Sequence, residues 1–334
     1  MVTLADVERA QRVLQGTAER TRLIFSNSFS RMLGCRVYLK PEMFQRTGSF
    51  KLRGAYNKMG HLPPALKQHG VVAASAGNHA QGVAVAAARA GIPAVIVMPH
   101  TAPPAKTAAT RAYGAEVILY GRTYDEASEL ACALARERRL TLIPAFDDAD
   151  VVAGQGTVGL EILDDLPAAD EIIVPVGGGG LVSGVAVAVK ARNPAARVIG
   201  VQAAGAASLG ASLKAGRPVT LPTVQTLADG IAVQRPGDLP FQIVQRYVDD
   251  VVAIGDSDIL RAIAMLLERA KLVAEGAGSA PLAALLSGAV AARGQSVVLV
   301  LSGGNIDLTR IGPILPHGLD VRHPLGQVAH AVRS

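Results

Sequence analysis

The chain has 334 residues, of which half are hydrophobic, 18% charged and only 4% aromatic. That balance excludes intrinsic disorder, and two cysteines exclude a disulfide framework or a multi-thiolate zinc module. The net charge is +6, yet no run of five basic residues occurs and no aromatics interleave them, so the basicity reads as a solvated surface favouring anionic small molecules over nucleic acid.

The length allows about two domains. Gly, Pro or a charge interrupts every apolar run before the roughly 18 residues a membrane helix needs. The opening MVTLADVERA carries early acids and no apolar signal core, so a cytoplasmic protein is expected. Thr3 with Asp6 opens a first helix, and Gly16 lies just past its end. Apolar, β-branched runs then predict strands at Val37–Leu39, Val71–Ala74, Ala94–Met98, Val117–Tyr120, Leu140–Ile143, Ile172–Val176, Val198–Val201, Val251–Ile254 and Val297–Leu301. Asp256 and Ser257 open a long helix with an apolar stripe of Leu260, Ile263, Ala264, Leu267 and Ala270. Buried strands separated by helices predict an α/β fold of two doubly wound, mainly parallel open sheets. No linker or internal repeat is visible.

In such sheets ligands bind beyond the carboxyl ends of strands, so the strand-to-helix turns carry the functional reading. In Thr47-Gly48-Ser49-Phe50-Lys51-Leu52-Arg53-Gly54-Ala55, Lys51 lies at a helix start among apolar neighbours. Such a lysine has its neutral amine favoured and suits a Schiff-base nucleophile, although it also reads as a surface lysine. In Ser75-Ala76-Gly77-Asn78-His79-Ala80-Gln81-Gly82, free backbone N–H groups and small polar side chains suit a carboxylate; Asn78 also reads as a helix cap and His79 as a packing histidine. Val174-Pro175-Val176 runs into Gly177, Gly178, Gly179, Gly180 and Leu181, where absent Cβ atoms let successive N–H groups converge on a phosphate at a helix beginning near Leu181. No Gly-Lys-Ser/Thr follows, so this is not a Walker loop. Ser302-Gly303-Gly304-Asn305 ends a buried strand, and Ser302 would offer a hydroxyl to a ring nitrogen or cap a helix. A Gly-x-Gly-x-x-Gly occurs at Gly154–Gly159, but acidic residues precede it instead of a buried strand. It reads as the N-terminal part of a helix, with dinucleotide binding by an oxidoreductase as the rival. Together the four turns supply an amine, a phosphate cup, a carboxylate pocket and a neutral hydroxyl, the set that pyridoxal phosphate requires.

The same four motifs, in order and spacing from about residue 3 to 315, resemble the threonine/serine dehydratase family, pyridoxal-phosphate enzymes of the tryptophan-synthase-β fold type. The resemblance implies that Lys51 carries the cofactor and later acts as base on Cα. It implies that Phe50 packs on the pyridine ring, Asn78 bonds the ring 3-hydroxyl, Gly177–Leu181 hold the phosphate and Ser302 meets the ring nitrogen. Ser75, Ala76, Gly77, Asn78 and His79 would grip the substrate carboxylate. A hydroxyl at the ring nitrogen does not keep it protonated as a carboxylate does, which favours β-elimination over a long-lived carbanion. The implied reaction is dehydration and deamination of L-threonine, and of L-serine, to 2-oxobutyrate or pyruvate and ammonia. The implied organisation is a large domain of residues 1–54 and 146–334, a small one of 55–145, the cofactor in the cleft between them, and a homodimer or homotetramer.

Serine racemases of similar sequence place a serine where this chain has Ala76, so racemisation is expected to be poor. Their metal site needs carboxylates where this chain has Gly200-Val201-Gln202-Ala203, Ala206 and Ser208, so no such metal is expected. The sequence runs only a short way past His317, so feedback control through a C-terminal regulatory domain is not expected. Glu275 matches a family glutamate and reads as a structural acid bonded to backbone.

Overall fold

A computed structural model describes residues 1–292 and 295–307; His317 lies outside them. Ten strands form two sheets: β1 (Ile24–Phe25), β2 (Arg36–Pro41), β3 (Val71–Ala74), β4 (Ala94–Met98), β5 (Glu116–Leu119), β6 (Thr141–Leu142), β7 (Glu171–Pro175), β8 (Arg197–Ala203), β9 (Asp250–Ile254) and β10 (Ser296–Leu301). The six-stranded sheet has the order β1-β2-β10-β7-β8-β9 and the four-stranded sheet β5-β4-β3-β6. Every pairing between these strands is parallel except β1 with β2, where Ile24 faces Leu39 and Phe25 faces Tyr38.

All nine expected strands are present with ends shifted by a residue or two. The tenth strand, β1, was not expected; its two residues are both exposed and carry no periodic signal. Alternation along the buried strands accounts for the layers. Ile173, Ile199, Val297 and Leu299 join one apolar core, while Ile172, Val174, Val198, Val298 and Val300 join another on the opposite face of the same sheet. The four-stranded sheet repeats the pattern, with Val71, Ala73, Ile96 and Met98 on one side and Val72, Ala74, Val95 and Val97 on the other. With both faces covered, these strands need apolar residues at every position.

The first helix is Leu4–Leu14, capped by Thr3 and Asp6 as expected. The later helix begins at Asp256 as expected. Its cap position is Gly255, and the Asp256 carboxylate accepts from the Thr226 hydroxyl at 2.5 Å and the Leu227 N–H at 2.9 Å. The α-helix ends at Met265, and a π-helical turn, Leu266–Ala270, follows. Of the expected stripe, Ile263 and Ala264 are buried and Leu260 and Ala270 pack partly buried against the same core, with Ile259, Ala262 and Leu266 buried beside them.

Gly154–Gly159 lies within the helix Ala149–Asp165, fully buried. A Cβ on Gly154 would lie 2.6 Å from the Arg53 carbonyl oxygen, and one on Gly156 2.8 Å from that of Gly184. These glycines let three helices touch through their backbones; no strand leads into them, so the dinucleotide reading has no structural support. Among the described residues no helix is long and apolar enough to cross a membrane.

Candidate active site

Three of the four chemistry-bearing turns follow the carboxyl ends of β3, β7 and β10, and the fourth begins the helix Lys51–Gly60. An isolated antiparallel bridge ties Ser49 to Gly303, and the Phe50 N–H donates to the Ser302 carbonyl at 3.1 Å. The lysine turn and the Ser302 turn are therefore stitched together by backbone. The Ser302 side chain is buried, its hydroxyl bonds no other described residue, and no helix begins within residues 303–307 for it to cap.

Lys51 Nζ donates to the Ala145 carbonyl at 2.8 Å and sits 5.2 Å from the centroid of the Phe50 ring. Burial lowers its pKa to about 8, with Glu275 pulling the other way, so a substantial neutral fraction exists near neutral pH. Phe50 itself packs against the core that contains Leu181 and Val300.

The glycine turn leads from β7 into the helix Gly180–Arg192, with Gly179 at φ +95° as its cap. None of the N–H groups of Gly177, Gly178, Gly179, Gly180 and Leu181 donates to another described residue. Buried N–H groups without partners are costly, and five in succession at a helix start form a site for an anion. A Cβ on Gly178 would meet the Phe146 ring at 2.4 Å, and one on Gly180 would meet Phe146 Cβ at 2.9 Å. Phe146 thus lies against the turn, while its neighbour Ala145 receives the Lys51 amine.

Residues 143–148 proved more informative than their composition suggested. The Ile143 carbonyl accepts from His79, Asp147 accepts from the N–H groups of Asp238 and Leu239, and Asp148 caps the helix Ala149–Asp165. The acids that spoiled a strand reading are there to finish helix ends.

Asn78 opens its helix but does not cap it; that position is Gly77. Its Nδ2 donates to Glu275 Oε1 at 2.5 Å, and its Oδ1 accepts from Asn305 at 2.9 Å. His79 is buried, with Nε2 donating to the Ile143 carbonyl at 2.8 Å; burial, aided by the Lys51 charge, depresses its pKa to about 3 and keeps it neutral. Gly77 N–H donates to the Ser75 hydroxyl, while the N–H groups of Ala76, Asn78 and His79 have no described partner. The loop can therefore receive a carboxylate.

Glu275 differs from its sequence reading. Its main-chain N–H bonds the Gly303 carbonyl, but its carboxyl bonds Asn78, and Oε2 is buried with no partner. Burial and the Asp229 charge raise its pKa to about 7, opposed by Lys106, Asn78 and Lys51. At the position expected to lack the racemase-type metal, the Gln202 amide is satisfied by the Ala206 carbonyl and the Gly210 N–H.

Fold and turns define a doubly wound α/β protein in which a desolvated lysine amine bonds Ala145, whose neighbour Phe146 lies against a glycine turn with unpartnered N–H groups. The chain belongs to the family described as pyridoxal-phosphate dependent enzyme, whose profile matches residues 14–303. It is 51% identical over 96% of its length, and 79% of the other chain, to a protein of Thermotoga maritima named L-threonine ammonia-lyase. Its fold is similar to that of maize serine racemase, with a TM-score of 0.90 and 36% identity, covering 96% of this chain and 98% of that one. It is also similar to threonine deaminase isoform 2 of Solanum lycopersicum, with a TM-score of 0.89 and 38% identity over 95% and 92% of the two chains. The chain is therefore a pyridoxal-phosphate dependent enzyme of α/β fold.

Proposed function

We propose that this enzyme dehydrates and deaminates L-threonine, and L-serine more slowly, yielding a 2-oxo acid and ammonia. The observation that carries this reading is the 51% identity to an L-threonine ammonia-lyase across nearly the whole chain. The unpartnered N–H groups of Gly177–Leu181 fit the cofactor's phosphate, the Lys51 amine fits its aldehyde, and Phe50, Asn78 and the Ser302 hydroxyl fit its ring, so these residues would hold it. When bound, the cofactor supplies an electron-withdrawing ring that makes the substrate's Cα proton acidic.

The remaining work belongs to the chain. The N–H groups of Ala76, Asn78 and His79 orient the substrate through its carboxylate, and a neutral His79 keeps that pocket free of a competing titration. Lys51, with a pKa of about 8, has the neutral amine needed to take the Cα proton. Loss of that proton and of the β-hydroxyl releases an enamine, which water converts to 2-oxo acid and ammonia. Asn78 is held from both sides by Glu275 and Asn305, which fixes the side chain proposed for the ring 3-hydroxyl.

The proposed division is residues 1–54 with 146–334 as the large unit and 55–145 as the small one; the four-stranded sheet falling within 71–142 supports it. A homodimer or homotetramer in the cytoplasm is the accompanying expectation, supported by the sequence resemblance. Racemisation is the rival reaction suggested by the maize neighbour, but Ala76 offers no proton-bearing group in the substrate loop.

The test is 2-oxo acid formation from L-threonine, L-serine and 3-hydroxyaspartate with added pyridoxal phosphate. L-Threonine should give the highest kcat/KM. Preferential turnover of 3-hydroxyaspartate, or interconversion of serine enantiomers outpacing deamination, contradicts the proposal.

A further inference from the structure

Lys106 belongs to the helix Pro104–Ala112, which follows β4 of the four-stranded sheet, whereas Asp229 lies between β8 and β9 of the six-stranded one. Lys106 Nζ donates to Asp229 Oδ2 at 3.0 Å, so one ion pair spans the two sheet systems. The same ammonium lies 3.7 Å from where a Cβ on Gly77 would be, which brings a cation up to the loop Ser75–His79. The partners differ in burial. The Lys106 side chain is 11% exposed, whereas that of Asp229 is 53% exposed.

That asymmetry decides how the pair can exchange. A half-exposed carboxylate released from its partner is rehydrated at little cost, whereas a nearly buried ammonium needs another anion. Three N–H groups of that same loop, at Ala76, Asn78 and His79, have no described partner. The Glu275 carboxyl, whose Oε1 lies 3.5 Å from a Cβ position on Gly230 and accepts from Asn78, feels both Asp229 and Lys106, so the pair lies near the partner of Asn78.

We propose that Lys106 is a second anchor for the substrate's α-carboxylate, exchanging Asp229 for that carboxylate when substrate enters. This rests on the preceding reading of Ser75–His79 as the carboxylate loop. Catalysis does not pass through Lys106; its effect falls on binding.

The test uses holoenzyme variants Lys106→Met, Lys106→Arg and Asp229→Asn, each checked for wild-type pyridoxal-phosphate content. Calorimetry measures binding of 2-hydroxybutyrate, which keeps the carboxylate but lacks the amine, and of L-threoninol, which lacks the carboxylate. Lys106→Met should weaken 2-hydroxybutyrate binding and raise the KM for L-threonine by about tenfold or more, the loss expected for one charged hydrogen bond, with kcat within about threefold. Lys106→Arg should recover most of the affinity. Threoninol binding should not change, and Asp229→Asn should bind 2-hydroxybutyrate as tightly as wild type or more tightly, because a competitor is gone. A Lys106→Met protein with unaltered 2-hydroxybutyrate affinity overturns the proposal. So does an Asp229→Asn protein weakened like Lys106→Met, which would mark the pair as a structural clasp. If no hydroxy-amino acid is deaminated yet 2-hydroxybutyrate binding depends on Lys106, the threonine reading fails and the anchor stands.

Discussion

Two residues beyond Lys51, the Arg53 side chain lies inside the protein, 1% exposed, between two carboxylates. Its guanidinium donates to both oxygens of Glu42 at 2.8 Å each, and to Glu161 at 2.6 and 2.9 Å. Lys40 completes the group, donating to Glu161 at 2.5 Å. Two cations offset two anions, and β2, the segment after it, the Lys51 helix and the helix Ala149–Asp165 are joined by them. Arg53→Met keeps the packing and removes the charge. It leaves the fully buried Glu42 without its main partner, which costs about 3–5 kcal/mol at neutral pH.

The pH dependence gives a sharper check. Burial by itself raises the Glu42 pKa, but the Arg53 charge and hydrogen bonds, with help from Lys40 and Thr21, hold it below its ordinary value. A depressed pKa stabilises the fold above the unfolded value of about 4.3, and that contribution is lost as pH falls through the folded value. In Arg53→Met burial dominates, Glu42 titrates above about 4.3, and the sign reverses: its contribution is present at low pH and lost as pH rises. The deficit relative to wild type should therefore be largest near neutrality and shrink towards about pH 5. Urea-unfolding midpoints of both proteins at two pH values measure this, and adding Glu42→Gln to Arg53→Met should recover part of the loss. A neutral-pH deficit under about 1 kcal/mol, or one that grows on acidification, refutes the reasoning.

Four further outcomes follow from the geometry. Gly184→Ala would set a Cβ 2.3 Å from the Val152 carbonyl oxygen and 2.5 Å from the Gly156 nitrogen, both backbone, and should cost about 3 kcal/mol or more. Gly210→Ala, with only Gln202 Oε1 at 3.7 Å, should be neutral or stabilising by up to about 1 kcal/mol, both variants being measured by urea unfolding. Gly178→Ala meets the movable Phe146 ring at 2.4 Å, so the protein should fold but bind pyridoxal phosphate about tenfold or more weakly in equilibrium dialysis; unchanged affinity refutes the cup assignment. The rate at which apoenzyme takes up pyridoxal phosphate should follow the Lys51 amine, with a midpoint of about 8; a rate still climbing towards 10.5 contradicts the desolvated lysine.

The buried strands were legible because both of their faces are apolar, and the glycine turn because four consecutive glycines have few other uses. Residue type singled out the lysine and asparagine turns, although the partners of both side chains, Ala145 for Lys51 and Glu275 and Asn305 for Asn78, come from distant segments. What stayed hidden was built from distant, chemically ordinary residues. Lys40, Glu42, Arg53 and Glu161 have no spacing that announces a buried cluster; only the fold brings them within 3 Å. Ala145 contributes only a carbonyl, and Phe146 acts as a wall against glycines, functions that leave no trace in side-chain type. Glu275 was visible as a residue but not as a carboxyl bonded to Asn78, because those positions are 197 residues apart. Asp256 opens its helix as read, but the partners of its carboxylate, Thr226 and Leu227, come from another segment and left no local signal.

The central claim is that Lys51, set between Ala145 and Phe50, makes this fold an L-threonine deaminase. The direct measurement is 2-oxobutyrate release from L-threonine by purified wild type and Lys51→Ala, both with saturating pyridoxal phosphate. The account predicts steady turnover and a visible absorption band in wild type, and loss of the band with at least about a thousandfold slower turnover in Lys51→Ala. Turnover by Lys51→Ala within tenfold of wild type, or a wild-type protein that binds the cofactor and releases no 2-oxobutyrate, would contradict it.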